Sequence, residues 1–352
     1  MSTLILFDGD DSGPFRIKTF SAGESQFTEI GSTNFLTGGW GMQGGFEASL
    51  NDNNSVCYLG LGNVNGFRSA LFKSGIVNGV AQFPVELPNS TLVDNSSKPP
   101  NSVDFRNGLL AVADSTQGEI HVYDTVNESM LWSGTFGGSS SISSIKWISN
   151  DRFAASGADE VLKLFSWDGS SAADLDSVAG KGSTLAVASP GRAFAIGGSG
   201  KISLMDFASD TISQVDTITA SFASGVAVQS HNQEIPQKER VVRAENSALS
   251  VSEFYDNNRT SDSNFALTAS HWFGSQGRAS TANTVAAVLR SDGSTIASIN
   301  PDSNTRIYGI IAFGSSGPTT PEQIFNATYA NASAAPPKRT ALVLPLDVQR
   351  SI

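Results

Sequence analysis

The sequence predicts an all-β fold: a β-propeller of six or seven blades, each a four-stranded antiparallel sheet, followed by a C-terminal helix and an extended arm. Two observations predict the propeller. Three segments, 109–124, 152–168 and 193–207, are loosely repeats of one another, and each contains strand-like runs. Corresponding positions recur about every forty residues, a period that is typical of a radial array of small sheets.

Each repeat contains a predicted β-hairpin. An apolar run is followed by a small, Gly-containing turn and then by a strand with alternating apolar residues. One more β-like run precedes each hairpin and another follows it: 102–105, 142–148, 184–188, 130–136, 174–178 and 211–218. Four strands make one blade, which must stack on its neighbours to bury both faces. The residues expected to pack between blades are Ile120, Val122, Leu162, Leu164, Ile202 and Leu204.

The hairpins resemble those of the WD-repeat family, whose repeats carry a small-residue strand, an Asp-bearing turn and a strand of the form aliphatic, any, aliphatic, aromatic, Asp. Segment 120–124 fits this pattern, and 202–206 fits with methionine at the aromatic position. In the middle repeat Ser166 replaces the terminal Asp, and Asp168 follows two residues late. The Gly-His pair of a typical WD repeat is missing from all three. The resemblance over about 102–219 therefore implies a WD-like propeller without the family's His-Asp-Ser-Trp relay.

The rest of the chain extends the propeller prediction. Residues 45–87 divide into four strand-like runs and form another candidate blade, and 222–315 contain further β runs. Two strand-like runs at 3–7 and 15–20 precede all of these. Because closed propellers commonly let an N-terminal strand complete the last sheet, we expect them to close the ring. The predicted propeller therefore spans 1–315.

The tail, 316–352, departs from the repeat. Thr320 as a cap and Pro321 at the first helical position predict a helix. The last stretch, 340–352, is an apolar, strand-like arm that contains a proline, which suits an edge or an extended segment on another surface.

A second division of the chain stays open. The strand at 306–313 and the TPEQI that follows are similar to the closing strand and helix of laminin-G-like jelly rolls. This alternative places a propeller at 1–230 and a jelly-roll-like module at 231–352.

Composition and charge restrict the partners. The formal net charge of -11 argues against nucleic acid, because phosphate binding needs clustered Lys and Arg. The N-terminus lacks the basic and apolar regions of a signal peptide, and no run approaches the ~20 apolar residues of a membrane span. We expect synthesis in the cytoplasm and no membrane insertion. The single cysteine, Cys57, lies in an apolar strand and is expected to be a buried small hydrophobe.

No catalytic arrangement is predicted. The three histidines lack ligand-like spacing, and His121 is expected to point outward from its strand. No nucleophile elbow, phosphate loop or dinucleotide fingerprint is present. We therefore expect a non-enzymatic protein.

Residues 8–13 resemble part of a calcium-binding loop. Asp8, Asp10 and Ser12 place oxygen side chains at alternate positions, and Gly13 follows at the sixth, as in the first half of a calcium loop. The twelfth position is Thr19, where a bidentate Glu belongs, so an acidic hairpin turn is the alternative. No other cofactor is expected.

The function predicted is structural assembly through protein–protein contacts with other subunits, including copies of the same chain. The excess of Ser, Gly, Asn and Thr, with few Lys, Cys and His, resembles bacteriophage virion proteins, so a tail, nozzle or capsid-decorating component incorporated into a virion is favoured. The partner-binding residues predicted in the arm are Val343, Leu344 and Leu346. The alternatives are an intracellular WD-like adaptor, and a propeller that binds or cleaves glycans during host attachment.

Overall fold

The structure is a computed structural model, and every element that it describes is a β-strand. The described residues are 2–9, 15–22, 27–35, 47–64, 68–90, 93–94, 100–114, 118–137, 142–157, 159–182, 184–189, 191–196, 201–207, 209–219, 226–230, 237–244, 249–256, 268–272, 281–284, 286–289, 295–299, 306–314, 324–330 and 338–343.

Strands of the first two thirds of the chain are β1 (Ser2–Gly9), β2 (Phe15–Ala22), β3 (Phe27–Phe35), β4 (Glu47–Leu50), β5 (Val56–Val64), β6 (Arg68–Val77), β7 (Val80–Ala81), β8 (Val85–Glu86), β9 (Val93–Asp94), β10 (Pro100–Arg106), β11 (Leu109–Asp114), β12 (Glu119–Asp124), β13 (Ser129–Thr135), β14 (Ile142–Trp147), β15 (Arg152–Gly157), β16 (Glu160–Trp167), β17 (Ala172–Gly182), β18 (Thr184–Ser189), β19 (Arg192–Ile196), β20 (Lys201–Asp206) and β21 (Ser213–Thr219). The later strands are β22 (Val226–Ser230), β23 (Gln237–Ala244), β24 (Leu249–Asp256), β25 (Thr268–Trp272), β26 (Thr281–Thr284), β27 (Ala286–Leu289), β28 (Thr295–Ile299), β29 (Arg306–Gly314), β30 (Ile324–Ala330) and β31 (Lys338–Val343).

Within the described ranges these strands form seven antiparallel sheets. Sheets 3, 4 and 5 are four-stranded meanders made of β10 to β13, β14 to β17 and β18 to β21, with spatial order equal to chain order. Sheet 2 comprises β4, β5 and β6, with β7, β8 and β9 pairing in turn along β6, and sheet 6 comprises β22 to β24. Sheet 1 has the order β25, β29, β1, β2, β3, and sheet 7 contains β26, β27, β28, β30 and β31.

The first strands of successive sheets lie side by side around a ring. Strand β4 lies beside β10, β10 beside β14, β14 beside β18, and β18 beside β22. Strand β22 contacts β25 and β31, and β29 of sheet 1 contacts β4, so the series returns to its start. A closed series of small antiparallel sheets is a β-propeller, as the repeat predicted. The number of blades stays a prediction of six or seven.

The three sequence repeats occupy equivalent places. The apolar runs that open the predicted hairpins are β11, β15 and β19, and each is the second strand of its sheet. The residues that alternate after each turn form the third strands, β12, β16 and β20.

Sheets 1 and 7 join distant parts of the chain. Strand β1 pairs with β29, with Thr3 opposite Phe313 and Leu4 opposite Ala312. In sheet 7, β26 and β27 both pair with β30, which follows them only after β28 and β29. From β25 to the end of β31, the chain therefore alternates between two sheets. Strand β25 belongs to sheet 1, β26 to β28 to sheet 7, β29 to sheet 1, and β30 and β31 to sheet 7.

The C-terminal helix predicted from Thr320 and Pro321 is wrong. Residues Ile324–Ala330 form strand β30, and Lys338–Val343, which include the first residues of the arm, form β31, which pairs with it. The helix prediction rested on capping signals alone, whereas the following IFNATYA is rich in the β-branched and aromatic residues that favour strands. The boundaries of the predicted domains, including the jelly-roll alternative, stay predictions.

The core lies between adjacent sheets, in separate clusters, rather than in one centre. Between sheets 3 and 4, Ile120 and Val122 pack with Phe165 and Trp167. Between sheets 4 and 5, Leu162 and Leu164 pack with apolar residues of β19 and β20. Together with Leu204 these residues are buried, as predicted. The side chain of Ile202 lies outside the described part of the structure.

A β-bulge recurs at the outer strand of four sheets. In sheets 1, 3, 4 and 5, the register between the two outermost strands shifts by one residue. The extra residue is always a large aliphatic one: Ile30, Leu131, Leu175 and Val215. Bulges twist an edge strand and interrupt its row of free backbone groups, so they oppose edge-to-edge pairing between molecules.

Candidate interaction surface

The predicted calcium residues are only partly described. Asp8 lies in β1, where its buried carboxylate contacts Arg16 Nε at 2.7 Å and Lys18 Nζ at 3.2 Å. Asp10 and Ser12 lie outside the described residues, so the calcium site stays a prediction. In the part of the chain that the structure describes, no group of three or more His, Cys, Asp or Glu side chains could hold a metal ion.

The predicted partner-binding residues of the arm are also incompletely described. Val343 ends β31 and lies opposite Ile324 of the same chain. Leu344 and Leu346 fall outside the described ranges. Their role in partner binding stays a prediction.

His121 does not point outward as expected. Its ring is buried, with Nδ1 at 2.7 Å from the Ser133 hydroxyl and Nε2 at 3.6 Å from a Glu119 carboxylate oxygen. A central strand of a propeller blade is covered on both faces, so alternation along β12 does not leave a solvent side. Cys57 is buried as predicted, and burial raises the pKa of its thiol.

Hydroxyl groups connect the first strands of neighbouring sheets. Ser102 in β10 accepts a hydrogen bond from the Ile145 N–H of β14 at 3.0 Å. Ser144, at the equivalent place in β14, accepts from the Leu185 N–H of β18 at 3.3 Å. The first strands of separate sheets share no ladder of their own, and these side chains satisfy buried N–H groups there.

Asp104 makes a second connection of this kind. Its Oδ2 accepts from the Trp147 N–H at 2.8 Å, and Oδ1 lies 3.8 Å from Lys146 Nζ. The Ser49 hydroxyl of sheet 2 donates to Oδ1 at 3.4 Å, so Asp104 bridges three sheets. Burial raises the pKa of Asp104, and the positive charge of Lys146 opposes this by lowering the pKa.

In an antiparallel meander, every second connection lies at the same end of the sheet. One end of the propeller therefore carries, for each sheet, the turn between the first and second strands and the turn between the third and fourth strands. We call it the turn face: residues 51–55, 78–79, 107–108, 125–128, 149–151, 168–171 and 209–212. Its turns are hydrogen-bonded to each other. The Thr125 N–H donates to the Gly108 carbonyl at 2.8 Å, and the Asn107 N–H of sheet 3 donates to Asp52 of sheet 2 at 3.2 Å.

Two turns of this face are capped by aspartate. Asp124 Oδ1 accepts from the Val126 N–H at 2.8 Å and the Asn127 N–H at 3.0 Å. Asp168 does the same in sheet 4 for two backbone N–H groups and two serine hydroxyls. Strand β16 is two residues longer than β12. Asp168 therefore caps the turn in sheet 4, although the repeat pattern places the Asp at position 166. The backbone N–H donors hold the pKa of both carboxyls below the usual range.

Three cations near this face are held in ion pairs. Arg152 Nη2 lies 2.6 Å from Asp210, and Arg192 Nη2 lies 3.0 Å from Asp206. Lys73 Nζ of sheet 2 lies 2.6 Å from Glu128 in a turn of sheet 3. By contrast, Asp52, Asp124, Asp151 and Asp168 make no ion pair within the described ranges.

Large apolar side chains are exposed along one arc beside the turn face. Seven such side chains are exposed among the residues described, and six of them belong to sheets 1 to 3 or their turns, from 39% exposure for Leu131 to 78% for Val126. We call five of these six the apolar arc: Ile30, Val77, Phe83, Val85 and Val126. The remaining two, Leu131 and Val215, are bulge residues of outer strands, as is Ile30 of the arc.

Contacts place the members of the arc in sequence around the rim. The Phe83 ring stands edge-on to buried Phe35 of β3, with centroids 5.5 Å apart. In the turn between β6 and β7, a Cβ added to Gly79 would lie 3.9 Å from Ile30 Cδ1. Lys73 of β6 lies opposite Val85 of β8 and forms an ion pair with Glu128. This ion pair connects β6 to the turn that carries Val126.

An irregular outer strand exposes Phe83 and Val85 of the arc. In sheet 2 the fourth strand is divided into β7, β8 and β9, each two residues long. Pro84 lies between the first two, and the Ser90 hydroxyl, beyond β8, accepts from the Leu71 N–H at 3.1 Å in place of a backbone carbonyl. Because proline cannot donate to the ladder, the strand is interrupted there. Phe83 and Val85 consequently face solvent.

The fold defines the class of protein: a WD-repeat-like β-propeller, with four-stranded meanders and aspartate-capped turns after the third strand. Solved structures similar to this chain include U3-55K, with a TM-score of 0.47 and 10% identity over 70% of this chain and 73% of that one. The WD40 β-propeller domain of Doa1 has a TM-score of 0.47 and 14% identity over 89% and 90% of the two chains. The computationally designed Ika4 protein has a TM-score of 0.35 and 15% identity over 47% of this chain and 95% of that one.

No protein-family model matches the sequence, and no curated protein matches it. Among the residues described, no helix is long and apolar enough to span a bilayer.

Proposed function

We propose that the protein is a non-enzymatic scaffold that binds other proteins, and that the apolar arc is its principal contact surface. The observation that carries this proposal is the concentration of exposed large apolar side chains on sheets 1 to 3. Soluble proteins rarely leave such a patch uncovered unless it binds a partner. Fully burying one side chain of this kind contributes about 1.5 to 3 kcal/mol, so several together can support a specific complex.

Composition supports a finer form of the proposal. The excess of Ser, Gly, Asn and Thr, together with three histidines and one cysteine, resembles that of tailed-bacteriophage virion proteins. We propose incorporation into a virion as a tail, nozzle or capsid-decorating subunit, with residues 344–352 of the arm as a second contact. In a cellular adaptor the same surface would bind a resident protein complex.

Sedimentation of lysate from the source cells, followed with an antibody to this chain, tests the proposal. We expect the native chain to migrate in a high-mass assembly, and the virion form predicts comigration with infectious particles. The F83S/V85S variant should fold but migrate as the free chain, because two apolar contacts are lost. The V215S variant, which changes an exposed aliphatic residue outside the arc, should assemble normally. Assembly of F83S/V85S at parental levels would contradict the proposal.

A further inference from the structure

We propose that the end of the apolar arc at Val126, with the carboxylates of Asp52 and Asp124, is a docking site for a protein segment that carries Lys or Arg next to an apolar side chain. The inference rests on the proposed scaffold function and specifies the chemistry of the partner. It depends on three properties of the surface: its contiguity, its charge and its rigidity.

The apolar and acidic groups are contiguous. Val126 belongs to the turn that Asp124 caps, and a Cβ added to Gly108 would lie 3.4 Å from Val126 Cγ2. The next residue back, Asn107, donates its N–H to Asp52 at 3.2 Å. The exposed valine therefore lies in the turn that Asp124 caps and adjoins the turn to which Asp52 of the neighbouring sheet is hydrogen-bonded. A segment that buries the valine would dock beside both turns.

The charge of this surface is not compensated within the described ranges. Asp52 and Asp124 make no ion pair there, whereas Glu128 in the same turn is held by Lys73. Arg152 and Arg192, two partly buried cations of the turn face, are also paired. Backbone N–H donors keep Asp124 ionised across the physiological range. A cationic side chain is the complement of such a surface.

The same charge disfavours a second copy of this chain as the occupant. Two turn faces meeting across a symmetric interface would bring the same uncompensated carboxylates together, and like charges at an interface cost several kcal/mol. The whole chain carries a net charge of -11, which repels a second copy at longer range too. A basic partner is attracted by both effects.

The site is also held in place before binding. Asp124 accepts two backbone N–H groups and the Asn127 side-chain amide, and the Thr125 hydroxyl donates to the Gly108 carbonyl at 2.7 Å. A turn fixed in this way loses little conformational entropy when a partner binds.

Selection from a displayed library of random peptides of about twelve residues tests the inference without assuming a sequence. We expect the enriched peptides to combine Lys or Arg with aliphatic or aromatic residues. An enriched peptide, synthesised with a fluorescent label, should bind the full chain with an affinity that falls steeply as salt is raised. The D52N/D124N variant should weaken its binding about tenfold or more.

Charge-matched variants separate this site from general attraction to an acidic protein. Asn keeps one acceptor oxygen for the Asn107 and Val126 N–H groups but loses the second oxygen, which accepts from the Asn127 side-chain amide. D52N/D124N should therefore fold and melt somewhat below the parent, and its folded fraction is checked before binding is compared. The D151N/D168N variant removes the same charge elsewhere on the turn face and should bind the peptide as the parent does. The V126S variant should reduce binding with no change in charge.

The outcomes distinguish the inference from the function on which it rests. If enriched peptides are apolar, and V126S abolishes binding while D52N/D124N does not, the scaffold function stands and the basic partner is wrong. Equal weakening by both charge variants would mean non-specific attraction and would overturn the site. Concentration-dependent self-association that V126S abolishes would identify a second copy as the occupant. If no peptide binds and F83S/V85S assembles normally in cells, both proposals fail.

Discussion

The Ser102 hydroxyl accepts a 3.0 Å hydrogen bond from the Ile145 N–H, a backbone group in the first strand of the next sheet. It also donates to the Ile145 carbonyl at 3.3 Å. Propeller sheets contact each other mainly through apolar side chains, and β10 and β14 form no backbone ladder with each other. The Ser102 hydroxyl therefore supplies hydrogen bonds between the first strands of sheets 3 and 4.

Replacing Ser102 by Ala should therefore lower the free energy of unfolding by about 1 to 3 kcal/mol, because a buried N–H loses its acceptor. Urea denaturation monitored by tryptophan fluorescence measures the change. Ser177→Ala, at an exposed serine of β17, is the control and should have little effect. Equal midpoints for both variants would show that the hydroxyl contact contributes nothing.

Val122→Ala should cost about 2 to 4 kcal/mol, since Val122 is fully buried between sheets 3 and 4. The matched substitution Val126→Ala, at the exposed turn valine, should change stability by less than about 0.5 kcal/mol. Thermal melting of the two variants beside the parent gives the comparison. If Val126→Ala proves the more damaging, the assignment of core and surface is reversed.

Gly31→Ala should destabilise the junction of sheets 1 and 2 by about 1 to 3 kcal/mol, because the added Cβ would overlap Val80 Cγ1. Gly75 has open space around it, so Gly75→Ala should be tolerated. Adding Val80→Ala should recover part of the loss, which a double-mutant cycle on the unfolding free energies would detect. Strictly additive effects would contradict direct contact.

Asp104→Asn should stabilise the protein increasingly as the pH rises above about 4. Burial raises the native pKa of Asp104, so the native state binds the proton more tightly than the unfolded state does. The parent therefore loses stability as the pH rises from the unfolded pKa to the native one. The Asn side chain cannot titrate and still offers an oxygen to the Trp147 N–H. Unfolding free energies of both proteins measured from pH 3 to 7 give the difference, and a difference that is flat or falls with pH would contradict the sign.

The sequence predicted the parts of the fold in which structure is local. The third-strand residues Ile120 and Leu162 were found from a period and an alternation, and both are buried where expected. The helix at Thr320 and Pro321 failed because capping residues predict where a helix can begin, not whether the following residues prefer it to a strand. His121 failed because a two-residue alternation implies a solvent face only where one side of the sheet is open.

The candidate surface could not be predicted, for a related reason. Phe83 and Val85 have the composition of a buried strand, and only the interruption of the fourth strand of sheet 2 exposes them. Pro84 was the available signal, because proline within a strand-like run favours an edge or a break. The pairing of β1 with β29 was harder to predict from the sequence, because no local pattern specifies a partner strand about three hundred residues away.

The pairing of β1 with β29 is the most direct test of the closed ring, and engineered disulfides can measure it. Cysteine pairs at Thr3 and Phe313, and at Leu4 and Ala312, occupy facing positions of the two strands. A pair at Lys18 and Ser32, in the hairpin of β2 and β3, is the positive control. Cys57→Ala removes the native thiol. The ring predicts that at least one of the two test pairs oxidises as completely as the control, with faster migration in non-reducing gels. Efficient oxidation of the control with neither test pair forming would contradict the closed propeller.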